Sequence, residues 1–401
     1  MIKKNSIILL VLVLLYPVKY LLAQETFYPA EVEDKIKQVE NSLMSLVQTK
    51  DSVKWSLKER MSYYNLHGIS IAVIHNYKIE WAKGYGWADT SEHRPVTPLT
   101  LFQAASISKS LNAVGVLKLV QDKKLDLNTD INQYLTSWEF PYDSVSKNKK
   151  ITMRNLLSHT AGLTVTGFPG YSFGDTIPSI TQILDGKKPS NTPAVRSQSK
   201  PGKKFRYSGG GVTISQLILM DLTHQPYDEF MWKTVLKPLE MTNSFFTQPP
   251  PADKKQFLAT GYYNKGKEVI GKYHIYPECA AAGLWTNPTD LCKYIIEIQL
   301  SYLGKSNKIL SPEMTKTFLT RYKEKSALGV FIIKKGNTVY FRNDGGNRGF
   351  LSTYRGSFDG NGVVIMVNSE NYHILEEIVN SVASVYNWKD YFMILRGALN
   401  K

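Results

Sequence analysis

The chain has 401 residues, 43% of them hydrophobic and 21% charged, and its formal net charge is +15. This composition is typical of a globular protein with a large core, and it excludes an intrinsically disordered chain. The basic residues do not form one stripe and no recognition motif accompanies them, so the charge does not indicate a nucleic-acid partner.

The first 24 residues differ in character from the rest. Two lysines precede an apolar run from Ile7 to Leu15, and Pro17 follows it. We predict a signal peptide over residues 1–24 and a single domain over residues 25–401, so that the protein is exported to the periplasm or secreted. No other segment reaches the roughly 18 apolar residues that a membrane helix needs. A retained N-terminal anchor is the alternative.

The first half of the chain begins with helical spacing of apolar residues from Val32 to Val47, which predicts a helix. The segment from Gly68 predicts a β-hairpin that turns at 75–78. Apolar positions from Leu111 to Val120 predict a second helix. Residues from about 125 to 300 are predicted to mix short helices with Pro- and Gly-rich loops.

The last third of the chain returns to strands. Asn287 followed by Pro288 predicts the start of a helix. Beyond Ala327 we predict a hairpin that turns at 335–337, then the strands "FLSTYRGSF" and "GVVIMVNS". A helix from about Ile374 to Tyr386 closes the chain.

Strands thus occur at both ends of the chain and helices between them. We therefore predict an α+β fold in which one antiparallel sheet, flanked by helices, is built from about residues 25–110 and 300–401. A mostly helical lobe over about residues 111–299 is inserted into it. We expect the ligand to bind in a cleft between the two parts.

The chain has two cysteines, Cys279 and Cys292, which are too few for a disulfide framework or a metal cluster. Cys292 lies in a predicted helix and Cys279 before a glycine turn, which favours free buried thiols over a disulfide, the alternative in an oxidising compartment. The seven histidines show no paired spacing, so we expect no metal site.

Ser106 and Lys109 lie three residues apart at the start of the second predicted helix, which puts their side chains on one face. An amine that close can take the serine proton when it is held neutral. The same S-x-x-K spacing occurs in three polar or proline-rich loops, at Ser144/Lys147, Ser146/Lys149 and Ser197/Lys200. The spacing alone therefore leaves open a helix-capping serine with a surface lysine.

Two glycine-rich stretches follow later in the chain. "FRYSGGG" carries Tyr207 before a run of glycines, where the backbone can approach a ligand closely. "RNDGGNRGF", residues Arg342 to Phe350, places a glycine pair between two predicted strands. Taken alone, each stretch is equally consistent with an ordinary turn.

Together these stretches resemble the serine β-lactamase and DD-peptidase superfamily, in the class C-like branch that also contains carboxylesterases and D-amino-acid peptidases. That branch has S-x-x-K, then Y-x-N or Y-S-G, then K-T-G or H-x-G, in this order. The resemblance extends over nearly everything from Gly68 to the last strand, through "TLFQAASISKS", "NLLSHTAGL", "YSGGG", "AAAGLWTNPTDL" and "GGNRGF".

The resemblance implies roles for individual residues. Ser106 would be the acylated nucleophile, Lys109 its general base and Tyr207 a proton relay. The backbone N–H groups of Ser106 and Gly346 would form the oxyanion hole. The reaction would need no metal and no cofactor. The third motif supplies the candidate substrate-binding residues Asn343, Asp344, Gly345 and Arg348.

Two positions depart from the pattern of the superfamily. Gly209 stands where many relatives carry Asn, and Asn343 stands where Lys or His is expected. Because Asn offers only neutral hydrogen bonds, we expect Lys109 to carry more of the base role and recognition of a substrate carboxylate to be weakened. Arg348 is the candidate for the missing charge.

These observations support an exported serine hydrolase that acts on an ester or amide, with a D-amino-acid peptide or a small ester preferred over a β-lactam. The alternatives are a protein that binds cell-envelope peptides without efficient turnover, and a β-lactamase. We expect His159 to be structural, and His274 and Glu278 are weaker candidates for substrate contact. The expected partner is a small-molecule ester, a peptide or a cell-wall-derived substrate, and the sequence leaves the oligomeric state open.

Overall fold

The computed structural model describes residues 28–44, 53–146 and 149–392. The predicted signal peptide over residues 1–24 lies outside these ranges. Within them, no helix is both long enough and apolar enough to cross a membrane.

The strands form one large antiparallel sheet and a separate two-stranded ribbon. In chain order they are β1 (Gly68–His75), β2 (Lys78–Asp89), β3 (Arg94–Pro95), β4 (Phe102–Gln103), β5 (Trp285–Thr286), β6 (Phe331–Lys335), β7 (Thr338–Asn347), β8 (Phe350–Ser357) and β9 (Gly362–Val367). The large sheet has the order β3-β2-β1-β9-β8-β7-β6, and β4 pairs with β5. Because β1 pairs with β9, the sheet is assembled from both ends of the chain, as predicted.

Helices cover both faces of the sheet. Those of the described ranges are α1 (Ala30–Glu40), α2 (Leu57–Tyr63), α3 (Ser108–Gln121), α4 (Met153–Leu157), α5 (Ile180–Asp185), α6 (Gly209–Thr223), α7 (Tyr227–Met231), α8 (Cys279–Ala282), α9 (Pro288–Tyr302), α10 (Pro312–Leu319) and α11 (His373–Val385). In β1, Ile71 lies in the core shared with α1 and α11, and Ala72 in the core shared with α3 and α9. Alternate residues of a strand face opposite sides, so β1 carries buried apolar residues on both faces, with Ser70 as a buried polar residue among them.

The first helix is shorter than predicted. Instead of running from Val32 to Val47 it ends at Glu40, where Asn41 donates its backbone N–H and its side-chain amide to the carbonyl of Lys37. Leu43 is buried in the same core from an isolated β-bridge. The helical spacing of apolar residues therefore continues past the helix, because Leu43 packs into the core without being helical.

The other predicted elements are confirmed at their centres. The side chain of Asn287 caps α9 by accepting the N–H of Asp290 at 2.8 Å. The two hairpins turn between β1 and β2 and between β6 and β7, where they were predicted. The closing helix α11 is displaced by one residue from its predicted bounds.

Two features of this fold position the functional site. The helix α3 is buried along most of its length and begins beside the sheet. Strand β6 pairs only with residues 338–342 of β7, whereas β8 pairs with β7 as far as Asn347. Within the described chain, the second half of β7 therefore presents a free edge next to the 3₁₀ turn Ala105–Ile107 that precedes α3.

Candidate active site

Ser106 lies in the 3₁₀ turn directly before α3. Ala105, which precedes it, has a φ of 48°, in the left-handed region that alanine rarely adopts. Backbone strain of this kind is concentrated at functional sites, where the surrounding structure holds it in place. The turn puts the serine at the N-terminal end of a helix, whose dipole favours negative charge.

The Ser106 hydroxyl lies at hydrogen-bonding distance from both of the other predicted catalytic groups. Lys109 Nζ donates to Ser106 Oγ at 2.9 Å, and the Tyr207 hydroxyl donates to the same oxygen at 2.9 Å. Lys109 is 4% exposed and also donates to the carbonyl of Ala281 at 2.6 Å. This second, fixed acceptor holds the amine against the serine. If the amine is neutral, the serine hydroxyl can donate to Nζ, which is the direction that base catalysis requires.

Tyr207 is positioned by the start of α6 and by an aromatic neighbour. Ser208 caps α6, because its hydroxyl accepts the N–H of Gly211 at 2.9 Å. The Tyr207 ring packs on His159, with the ring centroids 4.3 Å apart. Lys109 Nζ lies 5.1 Å from the centre of the tyrosine ring. The Tyr207 ring therefore contacts both His159 and the Lys109 amine.

His159 supports this arrangement as a neutral residue. It is buried, and its Nδ1 lies 3.3 Å from the backbone nitrogen of Ser208, whose N–H it accepts. Burial, with a smaller contribution from Lys109, lowers the pKa of His159 to about 3. A ring that stays neutral and packs against Tyr207 fits the structural role expected from the sequence.

A side chain at position 209 would be sterically hindered. A β-carbon there would come within 3.0 Å of the Phe168 ring and 3.1 Å of the Thr166 carbonyl oxygen. The loop that contains these two residues occupies the space that an Asn side chain would need. The departure from the Y-x-N pattern therefore accompanies a close approach of this loop to the start of α6.

The Asn343 side chain lies beneath the serine turn. It is 3% exposed, and its Nδ2 donates to Ser110 Oγ at 2.9 Å, to the Gly329 carbonyl at 3.2 Å and to the Ser106 carbonyl at 3.4 Å. The amide thus anchors the turn that carries the nucleophile. The structure does not bring it to the surface of the groove, where the sequence analysis expected a substrate contact.

Replacing Asn343 by Asp is expected to destabilise the protein by about 1 to 3 kcal/mol, because a carboxylate oxygen would then face the carbonyls of Ser106 and Gly329. Urea unfolding checks this result. Asn307→Asp, at an exposed position, is the matched control and should unfold at the wild-type midpoint. An equally small effect of both substitutions would contradict the anchoring role.

Asp344 and Gly345 are also engaged within the protein. The Asp344 carboxylate accepts Arg355 Nη1 at 2.9 Å and pairs with Arg342. Burial opposes its ionisation, but the two guanidinium groups outweigh this effect and lower the pKa of the carboxyl to about 2. A β-carbon on Gly345 would lie 2.1 Å from the Ala104 carbonyl oxygen, so only glycine lets β7 approach the serine turn this closely. The structure does not bring the Asp344 carboxylate to the Ser106 hydroxyl.

A groove of about 460 Å³ opens beside Gly346. It is lined by Phe168, Pro169, Asn264, Tyr276, Gly346, Asn347, Arg348, Leu351, Glu370 and Tyr372. Arg348, which the sequence predicts to bind substrate, is exposed there. Glu370 and Tyr372 were not predicted from the sequence, because they follow β9 in the chain and belong to no motif. Tyr372 lies so close that a β-carbon on Gly346 would be 2.1 Å from its hydroxyl.

His274 and Glu278, the weaker candidates for substrate contact, lie in different surroundings. His274 Nδ1 is 3.0 Å from the carbonyl of Pro169. Glu278 is fully buried, and neither of its carboxylate oxygens has a hydrogen-bond partner among the described residues. Burial raises the pKa of Glu278 to about 8, so the carboxyl is protonated at neutral pH.

Cys279 and Cys292 are both buried with free thiols, as predicted. Burial raises the pKa of each thiol far above its usual range, so neither is a reactive thiolate. Among the described residues, no cluster of His, Cys, Asp and Glu could hold a metal ion.

Comparison with known proteins places this geometry in a family. The Beta-lactamase family profile matches residues 56–377. Protein flp of Staphylococcus aureus is 27% identical over 359 residues, which cover 82% of this chain and 68% of the relative. Teichoic acid D-alanine hydrolase of Staphylococcus aureus is 25% identical over 291 residues, which cover 72% of this chain and 67% of the relative.

A solved structure has a similar fold. D-amino acid amidase from Ochrobactrum anthropi is similar with a TM-score of 0.67 at 19% identity, and the match covers 89% of this chain and 99% of that chain. This similarity confirms the predicted α+β fold. The family match runs from the cap of α2 into α11 and includes the three motifs around Ser106, Tyr207 and Asn343. The chain belongs to the Beta-lactamase family.

Proposed function

We propose that the protein is a serine hydrolase that transfers an acyl group from an ester or amide to Ser106 and then to water. We further propose that the acyl group is a D-amino acid or the end of a short D-amino-acid peptide. The observation that carries the proposal is the convergence of Lys109 Nζ and the Tyr207 hydroxyl on Ser106 Oγ, each at 2.9 Å. The names of two similar proteins, a D-alanine hydrolase and a D-amino acid amidase, support the substrate class.

Acylation begins when Ser106 Oγ bonds to the substrate carbonyl carbon and its proton passes to Lys109. The carbonyl oxygen gains negative charge, and the backbone N–H groups of Ser106 and Gly346 are the proposed donors to it. The bond to the leaving alcohol or amine then breaks, and the leaving group receives a proton through Tyr207.

Deacylation repeats these steps with water as the nucleophile. Water gives a proton to the Lys109 and Tyr207 pair as its oxygen bonds to the acyl carbon. The same backbone donors stabilise the second oxyanion. Breaking the bond to Ser106 Oγ returns the hydroxyl and releases the acid.

We also propose that the protein works outside the cytoplasm, with residues 1–24 as signal peptide and residues 25–401 as one catalytic domain. The basic and apolar character of the first residues supports export. A similar protein is named for teichoic acid, which supports a substrate derived from the cell envelope.

A second candidate function is binding of envelope peptides without efficient turnover. The observation that favours it is the neutral Asn343 beneath the serine turn, at the position where the superfamily pattern has Lys or His.

The discriminating experiment is incubation with p-nitrophenyl esters of D-alanine and L-alanine, a fluorescent penicillin and nitrocefin, followed by intact-mass measurement. Faster hydrolysis of the D-alanyl ester supports the hydrolase. Absence of turnover and of any adduct supports the binding protein, and nitrocefin hydrolysis supports a β-lactamase.

Tyr207→Phe is expected to lower kcat for the D-alanyl ester by about 10² to 10³-fold, because the ring still packs on His159 but no hydroxyl reaches Ser106 Oγ. Steady-state kinetics measures the effect. Tyr322→Phe removes an exposed phenol and is the matched control. A kcat within threefold of wild type would exclude the relay role.

A further inference from the structure

We propose that Glu370 binds a cationic ammonium group in the acyl part of the substrate, and this inference rests on the proposed hydrolase function. It narrows the substrate class to aminoacyl esters or amides whose amine is free. Glu370 is a specificity-determining residue in this account and takes no part in the proton transfers.

The groove beside Gly346 contains few charged groups. Its lining contains one carboxylate, Glu370, and one guanidinium, Arg348. Among the described residues, neither group forms an ion pair, either with the other or with a further charged side chain. By contrast, the neighbouring carboxylates Asp344 and Glu376 are both paired with arginine. Glu370 is thus a half-buried carboxylate without a counter-ion of its own.

The Glu370 carboxylate is held in place by a backbone group. Glu370 Oε1 accepts the backbone N–H of Gly349 at 3.1 Å, at the turn between β7 and β8. Two residues later, the Tyr372 hydroxyl lies against Gly346. The segment between β9 and α11 is therefore in contact with both the tip of the hairpin and the proposed oxyanion glycine. One carboxylate oxygen is fixed, and the other is available to a ligand.

The tip of one hairpin carries both Gly346 and the backbone group that holds Glu370. Gly346 and Gly349 belong to the same tight hairpin, in which Asn347 pairs with Phe350. Glu370 accepts the N–H of Gly349, and Glu370 and Gly346 line the same groove. An amine carried by the acyl group can therefore lie near Glu370 while its carbonyl lies near Gly346.

The groove also has aromatic side chains in its lining. Tyr276 and Tyr372 line the same groove as Glu370. Tyrosine rings attract cations over their faces, and this attraction adds to that of a carboxylate. Arg348 lines the same groove and is exposed at the turn, where its charge is accessible to an anionic part of a larger substrate.

The test compares three p-nitrophenyl esters that differ only in the amine: D-alanyl, N-acetyl-D-alanyl and propionyl. We expect the wild type to prefer the D-alanyl ester. Glu370→Gln keeps an acceptor for the Gly349 N–H but removes the charge. It should lower kcat/KM for the D-alanyl ester about 10-fold to 100-fold, mainly through KM, and leave the other two esters within twofold.

Two matched variants complete the test. Arg348→Gln should leave the preference for the free amine in place, and Glu324→Gln, at an exposed position, should change nothing. If Glu370→Gln lowers hydrolysis of all three esters equally, or of none, the inference is wrong while the hydrolase function stands. If the wild type hydrolyses none of the esters and forms no adduct at Ser106, the proposed function fails and the inference fails with it.

Discussion

Ser106→Ala is expected to lower kcat for D-alanyl ester hydrolysis at least about 10⁴-fold, because the substitution removes the atom that bonds to the acyl group. The lysine and tyrosine that converge on this oxygen would remain in place but would have no hydroxyl to activate. Intact-mass measurement after brief incubation with the ester should show an acyl adduct on the wild type and none on the variant. Urea unfolding should give nearly the wild-type midpoint, since the methyl side chain fits the same turn.

A second serine of the chain, Ser197, serves as the control for this prediction. Ser197 and Lys200 have the same S-x-x-K spacing in a loop, and the spacing alone cannot tell them from the proposed catalytic pair. Ser197→Ala should therefore leave kcat unchanged. Loss of activity in Ser197→Ala, or full activity in Ser106→Ala, would remove the basis for the proposed mechanism.

Glu278→Gln is expected to abolish a pH dependence of stability that amounts to roughly 4 kcal/mol. The ordinary pKa of this carboxyl is 4.5, and burial raises it to about 8 in the folded protein. Between these values the folded protein binds the proton and the unfolded chain releases it. The free energy of unfolding of the wild type therefore falls as the pH rises from about 4.5 to 8. Glutamine carries no titrating proton, so this loss disappears in the variant.

The measurement is urea unfolding of both proteins at pH 5 and pH 8. His159 has its own titration, since its depressed pKa makes the folded state less stable as the pH falls from about 6.5 to 3, but this effect is common to both proteins and cancels in the comparison. Glu324→Gln, at an exposed position, is the control and should retain the wild-type pH dependence. If Glu278→Gln behaves like this control, the carboxyl is not a buried proton carrier.

Much of the fold was predictable because its signals are local. The hairpin of β1 and β2 and the start of α9 at Asn287 depend on alternation, turn residues and caps within a few positions. The end of α1 was not predictable in this way. Leu43 continues the apolar spacing but reaches the core from a β-bridge, and periodicity cannot distinguish these two routes to burial.

The candidate site shows a similar difference between residues that belong to sequence motifs and residues that do not. Ser106 and Lys109 were predicted from a motif that spans three positions, and Tyr207, 101 residues after Ser106, from the resemblance to the superfamily. The structure places Lys109 Nζ and the Tyr207 hydroxyl each 2.9 Å from Ser106 Oγ. Glu370 and Tyr372 reach the groove only because β9 returns the chain to the β7–β8 hairpin, which no local pattern encodes. The direction of the Asn343 amide was missed for a related reason, since its partners Ser110 and Gly329 come from separate segments.

Pairing between β1 and β9, in which Ile69 lies opposite Val367, affects how the protein can be made. Nearly the whole polypeptide has to leave the ribosome before the middle of the sheet can close. Until then one edge of β1 stays open to any other extended chain, and contacts so distant in sequence form slowly. Nascent copies therefore need protection from aggregation, and a truncation that removes the last two strands should yield insoluble protein rather than a smaller enzyme.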